Sequence, residues 1–132
     1  MREILFKAKR KLDGAWVVGD LSQHKTGKKF IKLCGGSATH SFEVDENTIC
    51  QYTGLTDKNG NKIWENDVIG YWDTYSTENG LAEADCIGKV FWDDETLSFQ
   101  VTERLSAESY EVMDECSVIG NIFDNPDLLK GE

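Results

Sequence analysis

Gln51-Tyr52-Thr53-Gly54-Leu55-Thr56-Asp57-Lys58-Asn59-Gly60-Asn61-Lys62-Ile63-Trp64-Glu65-Asn66-Asp67-Val68-Ile69 is the stretch on which the fold of this chain turns. Asn59-Gly60 sits between two runs rich in β-branched and aromatic residues, and both residues tolerate positive φ, so the pair predicts a tight hairpin. Lys62 to Trp64 leaves that turn. Glu65-Asn66-Asp67 reverses the chain again, and Asp67 to Trp72 reads as the next strand. Turn, short strand, turn and strand in so few residues point to a small antiparallel β domain.

The same period of two runs outward from this stretch. Toward the N-terminus, Ile4, Phe6 and Ala8 alternate with Glu3, Leu5 and Lys7. Asp13-Gly14 is a turn signal before the strand-forming Ala15 to Leu21, and Lys28 to Leu33 gives a third strand. Residues 41–55 read as extended chain anchored by Phe42, Val44, Ile49 and Tyr52. Toward the C-terminus, the polar residues 73–85 read as a long mobile loop. Ile87 to Trp92 returns to strand, Asp93 to Thr96 turns, and Leu97, Phe99 and Val101 alternate with polar neighbours. Residues 103–115 fit helix and strand equally well. Ser117 to Phe123 is a last strand, after which Asn125-Pro126 predicts a short C-terminal helix docking Leu128 and Leu129. The expected core is Phe6, Trp16, Val18, Phe30, Ile49, Leu55, Ile63, Val68, Val90, Phe99, Val118 and Ile122.

The 132 residues suit one domain, 1–132, with a single proline and no Pro- or Ser-rich linker. No run of about twenty apolar residues exists to span a bilayer. The opening residues carry charges where a signal peptide needs an uncharged apolar run, which points to the cytoplasm. Cys34, Cys50, Cys86 and Cys116 are widely spaced and expected to be reduced core residues. Charge is placed unevenly. Residues 1–40 hold nine bases and three acids, a net of +6, and the rest of the chain carries −16, which together make the −10 of the whole. One half pairing with the other explains this asymmetry, and so does a basic patch facing an anionic partner.

Motifs for chemistry are incomplete in this sequence. Asp57-x-Asn59-x-Asn61 imitates the start of an EF-hand loop, but Lys62 and Val68 occupy the places of its glycine and closing acid. Cys34 and His40 offer two zinc ligands and no second pair. Gly35-Gly36-Ser37 lacks the Lys-Ser/Thr ending of a phosphate loop. Nothing resembles a nucleophile motif, so catalytic, cofactor and metal residues are all expected to be none. Lys7, Lys9, Arg10 and Lys11 form the one local basic cluster, with Phe6 and Trp16 close in sequence, and are the candidate anion or nucleic-acid contacts. Strand alternation sends Lys7, Lys9 and Lys11 to one face and Arg10 to the other, if the strand runs that far. The plainer reading is a solvated edge whose lysines block unwanted strand pairing.

The quoted stretch resembles the central signature of the YopX protein family. Arg2-Glu3-Ile4 with Phe6 and Arg10, then Gly14-x-Trp16-Val17-x-Gly19, is similar to the family's opening, and Val118 to Leu129 is similar to its close. Residues 70–116 carry no such likeness. Cys50 stands where a small residue, usually glycine, is expected, and Asn66 where glycine is usual. Asn66 keeps the turn because asparagine tolerates positive φ. The resemblance implies a phage or prophage protein in a bacterial cytoplasm, of a family with no assigned function and no accepted catalytic residues. The order of turns and strands is also like that of SH3-like barrels. The expected fold is therefore mainly β: a small SH3-like barrel or strongly bent antiparallel sheet around residues 47–122, with added N-terminal strands and the short C-terminal helix. The leading functional expectation is a non-enzymatic accessory protein that binds a protein partner through strand edges and the 73–85 segment. A small nucleic-acid-binding module is the second, disfavoured because the rest of the chain is acidic, and an enzyme with an unrecognised site is the third. Self-association is left open.

Overall fold

Alternation along Phe6-Lys7-Ala8-Lys9 sets the first sheet. In the computed structural model, which describes residues 3–33, 41–102, 109–111 and 116–128, this segment is β1 (Phe6–Lys9). The chain divides into two compact units, Met1–Gly54 and Leu55–Glu132. The first holds β1, β2 (Trp16–Gln23), β3 (Lys29–Leu33), β4 (Ser41–Val44) and most of β5 (Cys50–Thr56), in the sheet order β4-β3-β2-β1-β5. All observed pairings are antiparallel, and Ala8 lies opposite Val17 while Leu21 lies opposite Ile31. These residues share one face, so Ala8, Ile31 and Val44 are buried together with Phe6, Val17, Leu21 and Ile49 against them. Beyond β1, Lys11 N–H donates to the Glu43 carbonyl at 3.0 Å and Asp45 N–H to the Lys9 carbonyl at 2.8 Å. Those bonds hold β4 from its far side and bend the sheet. Buried Thr48, in the 3-10 turn Glu46–Thr48, accepts from Lys9 N–H at 2.8 Å and donates to the Asp45 carbonyl at 2.7 Å.

The second unit opens with the end of β5, the Asn59-Gly60 turn and β6 (Lys62–Trp64). Its five-stranded antiparallel sheet has the order β10-β9-β8-β7-β11, from β7 (Asp67–Thr77), β8 (Gly80–Asp93), β9 (Ser98–Thr102), β10 (Ser109–Glu111) and β11 (Cys116–Asn121). Its core is Ile63, Ile69, Val90, Val101 and Cys116, with Tyr71, Phe99 and Val118 packed on it. Asn66 makes the turn into β7 at φ +72°, as its side chain permits.

Several expectations change. The second sheet is open rather than a closed or SH3-like barrel: its edge strands, β10 and β11, are not paired with each other among the described residues. No C-terminal helix forms among the described residues. Asn125 Oδ1 instead accepts from Asn121 N–H at 3.3 Å, and two turns follow β11. A Cβ on Gly120 would meet Asn125 Oδ1 at 2.5 Å and Leu128 Cδ1 at 2.8 Å, so Leu128 docks through turns; Leu129 lies outside the described residues. Residues 73–85 are not a loop. They continue β7 and β8 into one long hairpin, closed at Glu78-Asn79 with Gly80 at φ +111°. Of 103–115, only 109–111 are described, and they are strand. In the expected core, Trp16, Val18 and Phe30 fall on the outer face of the first sheet, because Val17, Leu21 and Ile31 take the inner one. Leu55 is also exposed. Leu97 leaves the β9 alternation and sits in the preceding turn at φ +53°.

Gly60 has φ +87°, and nothing lies within 4 Å of the place a Cβ would take, so only backbone strain opposes a side chain there. Gly60→Val is expected to lower unfolding stability by about 1–3 kcal/mol, since a β-branched residue is strained at positive φ. Urea titration measures this, and an unchanged midpoint with unchanged slope would show that the turn tolerates bulk.

Candidate functional site

The four basic residues singled out from sequence all belong to the first unit; alternation separates Lys7 and Lys9 from Arg10 as expected, but β1 ends at Lys9 and Lys11 lies in the turn beyond it. Lys9 lies opposite Trp16 across the Asp13-Gly14 connection, and Lys7 is two residues along the same face. Their ammonium groups stand 4.7 Å (Lys7) and 5.4 Å (Lys9) from the centre of the Trp16 ring. The Arg10 guanidinium lies instead 4.4 Å from the Phe42 ring centre and 3.5 Å from Asp13 Oδ1. Lys11 pairs with Glu43 at 3.3 Å. An open cleft of about 380 Å³ is lined by Arg10, Lys11, Leu12, Ser41, Phe42 and Glu43.

This arrangement limits what the cluster can do. Each cation over an aromatic face gains roughly 0.5–1 kcal/mol at an exposed site. A nucleic-acid base stacking on Trp16 would displace both lysines from that face. Arg10 and Lys11 already have carboxylate neighbours, so a phosphate would compete with them. Trp16 and Phe42 were legible as aromatics but not as platforms for cations. The signal was the spacing of Lys9 and Trp16 about a turn, which places them opposite each other.

A different group of polar residues has the larger structural role. Asp57 is only 5% exposed, and its carboxylate collects the turn that follows it. Oδ1 accepts from Asn59 N–H at 2.9 Å and Asn61 N–H at 2.8 Å. Oδ2 accepts from Val118 N–H at 2.9 Å and from the Asn61 amide at 3.4 Å. Lys58 N–H adds a bond to the Cys116 carbonyl at 3.1 Å, so the turn is fastened to the outer edge of β11. The Val118 N–H, foremost, holds the Asp57 carboxyl below its ordinary value; burial opposes this, and the Asn61 and Asn59 N–H groups reinforce it. The residues that imitated a calcium loop thus direct their carboxylate to backbone donors. No group of three or more potential metal ligands occurs among the described residues. Cys34 and His40 lie outside the described residues, while Cys50, Cys86 and Cys116 are buried and form no disulfide with one another.

The third feature is the far half of the β7–β8 hairpin. β11 pairs with β7 up to Tyr71, and β9 pairs with β8 from Val90 onward. Between them, residues 72–77 pair with 80–85 and, among the described strands, with nothing else. This two-stranded arm leaves both its edges open among those strands. Among the described residues no helix is long and apolar enough to cross a membrane.

The family model described as "YopX protein" matches residues 5–130. The chain belongs to the YopX family. A crystal structure of protein EF1440 from Enterococcus faecalis is similar in fold, with a TM-score of 0.53 at 22% identity, over 98% of this chain and 99% of that one. Comparison with curated protein sequences finds no match.

Two outcomes are expected. Because the folded-state value of Asp57 is lowered, the stability it supplies is complete at neutral pH and is lost as pH falls through that lowered value. Asp57→Asn, which sets an amide N–H₂ against backbone donors, should be less stable at neutral pH and lose less on acidification; parallel urea midpoints across the acid range test this. Nucleic-acid binding should be weak with a shallow salt dependence, since few phosphates can be neutralised. A submicromolar complex with DNA or RNA at about 150 mM salt, abolished by changing Lys7, Lys9 and Lys11 to Glu, would reverse this.

Proposed function

We propose that this member of the YopX family is a non-enzymatic protein-binding module, an accessory protein of phage or prophage origin acting in a bacterial cytoplasm. The observation that carries the reading is the open-edged arm. Within the sheet, ladder groups of β7 and β8 are taken up by β11 and β9; along 72–77 and 80–85 each strand is paired on one side only among the described strands. Open strand edges recruit extended segments of other proteins by adding them to the ladder. The polar composition of this segment suits a surface that must remain in water until a partner arrives, and its acids guard against indiscriminate pairing. The non-enzymatic part of the reading draws support from Asp57, whose carboxylate is occupied by backbone donors rather than poised for proton transfer.

Replacing residues 73–84 with a tight Asn-Gly turn should leave both cores intact, because the core residues lie outside that range. Wild-type bait should retain a discrete protein from bacterial extract, and the shortened variant should lose it while melting within a few degrees of wild type. Retention of the same protein by the shortened variant would refute the role of the arm.

A further inference from the structure

The end of the β8–β9 hairpin carries a second surface, separate from the arm. Val90 and Val101 lie opposite each other in the core, and the next pair on that face, Trp92 and Phe99, carries the apolar stripe out to the surface. The two rings meet edge to face at 5.1 Å and 70°. Trp92 is 41% exposed, and its indole N–H donates to Asp94 Oδ1 at 2.8 Å. The ring is thereby fixed on two sides while a large part of it faces water. Five residues on, Leu97 is 72% exposed and adopts φ +53°, a conformation that favours glycine or asparagine. Solvent and backbone both disfavour leucine here. Strain at an exposed apolar residue on the same hairpin end as a fixed, exposed tryptophan is the pattern of a contact surface rather than of a passive turn.

Charge selects the occupant. Asp93, Asp94 and Glu95 occupy the same hairpin end, in a unit that holds eighteen acids and five bases. Phosphate-bearing partners and a second copy of a chain with net charge −10 are repelled. We propose that this hairpin end docks a protein segment in which lysines or arginines flank aliphatic side chains, with Trp92 and Leu97 taking the aliphatic groups and the acids taking the cations. The proposal rests on the protein-binding reading only in making the occupant a protein, and does not depend on the arm.

The test uses fluorescence polarisation with labelled synthetic peptides: a lysine–leucine set, a matched lysine–serine set and a glutamate–leucine set. The lysine–leucine peptides should bind the full chain, at least about tenfold more tightly than the lysine–serine set, and the glutamate set should not bind. Trp92→Ala and Leu97→Gly should each weaken lysine–leucine binding by about tenfold or more. Leu97→Gly should melt at or above the wild-type temperature, so its loss of binding is not loss of fold. Equal binding of lysine–leucine and lysine–serine peptides would reduce the effect to general attraction by an acidic chain and overturn the proposal. So would undiminished binding by Leu97→Gly, or self-association in sedimentation that depends on Trp92. The arm-shortened variant should bind these peptides as wild type does. Loss of peptide binding in that variant alone would move the contact to the arm, overturning this proposal and leaving the earlier reading in place.

Discussion

One buried carboxylate organises the second unit. Asp57 closes its own turn by accepting from Asn59 and Asn61 and then reaches Val118, 61 residues away, with its other oxygen. A neutral amide could not do both. The backbone N–H groups of Asn59, Asn61 and Val118 point at one spot, and an anion with two acceptor oxygens satisfies them together. With Lys58 bonded to the Cys116 carbonyl, the turn covers the edge of β11 that β7 does not. The placement of Ile63 and Cys116 in one core follows from this fastening, since it ties the strand leaving the turn to the last strand of the sheet.

Local turn chemistry was well inscribed in the sequence. Asn59-Gly60, Asp13-Gly14 and the Asn66 turn lie where side-chain type places them, and Gly60 and Asn66 have the positive φ that their chemistry allows. Parity was harder to read. In Trp16-Val17-Val18 every residue is a strand former, so period alone does not say which face is inside. Register against Ala8 decides it, sending Val17 inward and the larger Trp16 outward. Residues 73–85 misled for a related reason. A two-stranded ribbon that extends beyond its sheet needs no apolar alternation, so its strands look like loop. The C-terminal helix signal at Asn125-Pro126 was real cap chemistry directed backward, to the N–H of Asn121 instead of a following helix.

The basic cluster shows a similar division. Alternation separated Lys7 and Lys9 from Arg10 correctly, but the rings beside them and the acids beside Arg10 and Lys11 depend on neighbours that the local sequence does not name. Composition registers a +6 segment; pairing converts much of it into contacts within the first unit. The hairpin ends of the second unit differ in character: polar at 72–85, with edges open among the described strands, and acidic and apolar at Trp92 to Leu97.

The reach from Asp57 to Val118 also sets an order of events during synthesis. Strands β1 to β4 and their core residues have all been made once Gly54 is added, so their contacts can form while translation continues. Asp57, in contrast, leaves the ribosome long before its distant donor exists. At about 5–20 residues per second the wait for Val118 lasts several seconds, during which the carboxylate has only the N–H groups of its own turn. The nascent second unit therefore spends that interval with an unfinished sheet and exposed apolar strands.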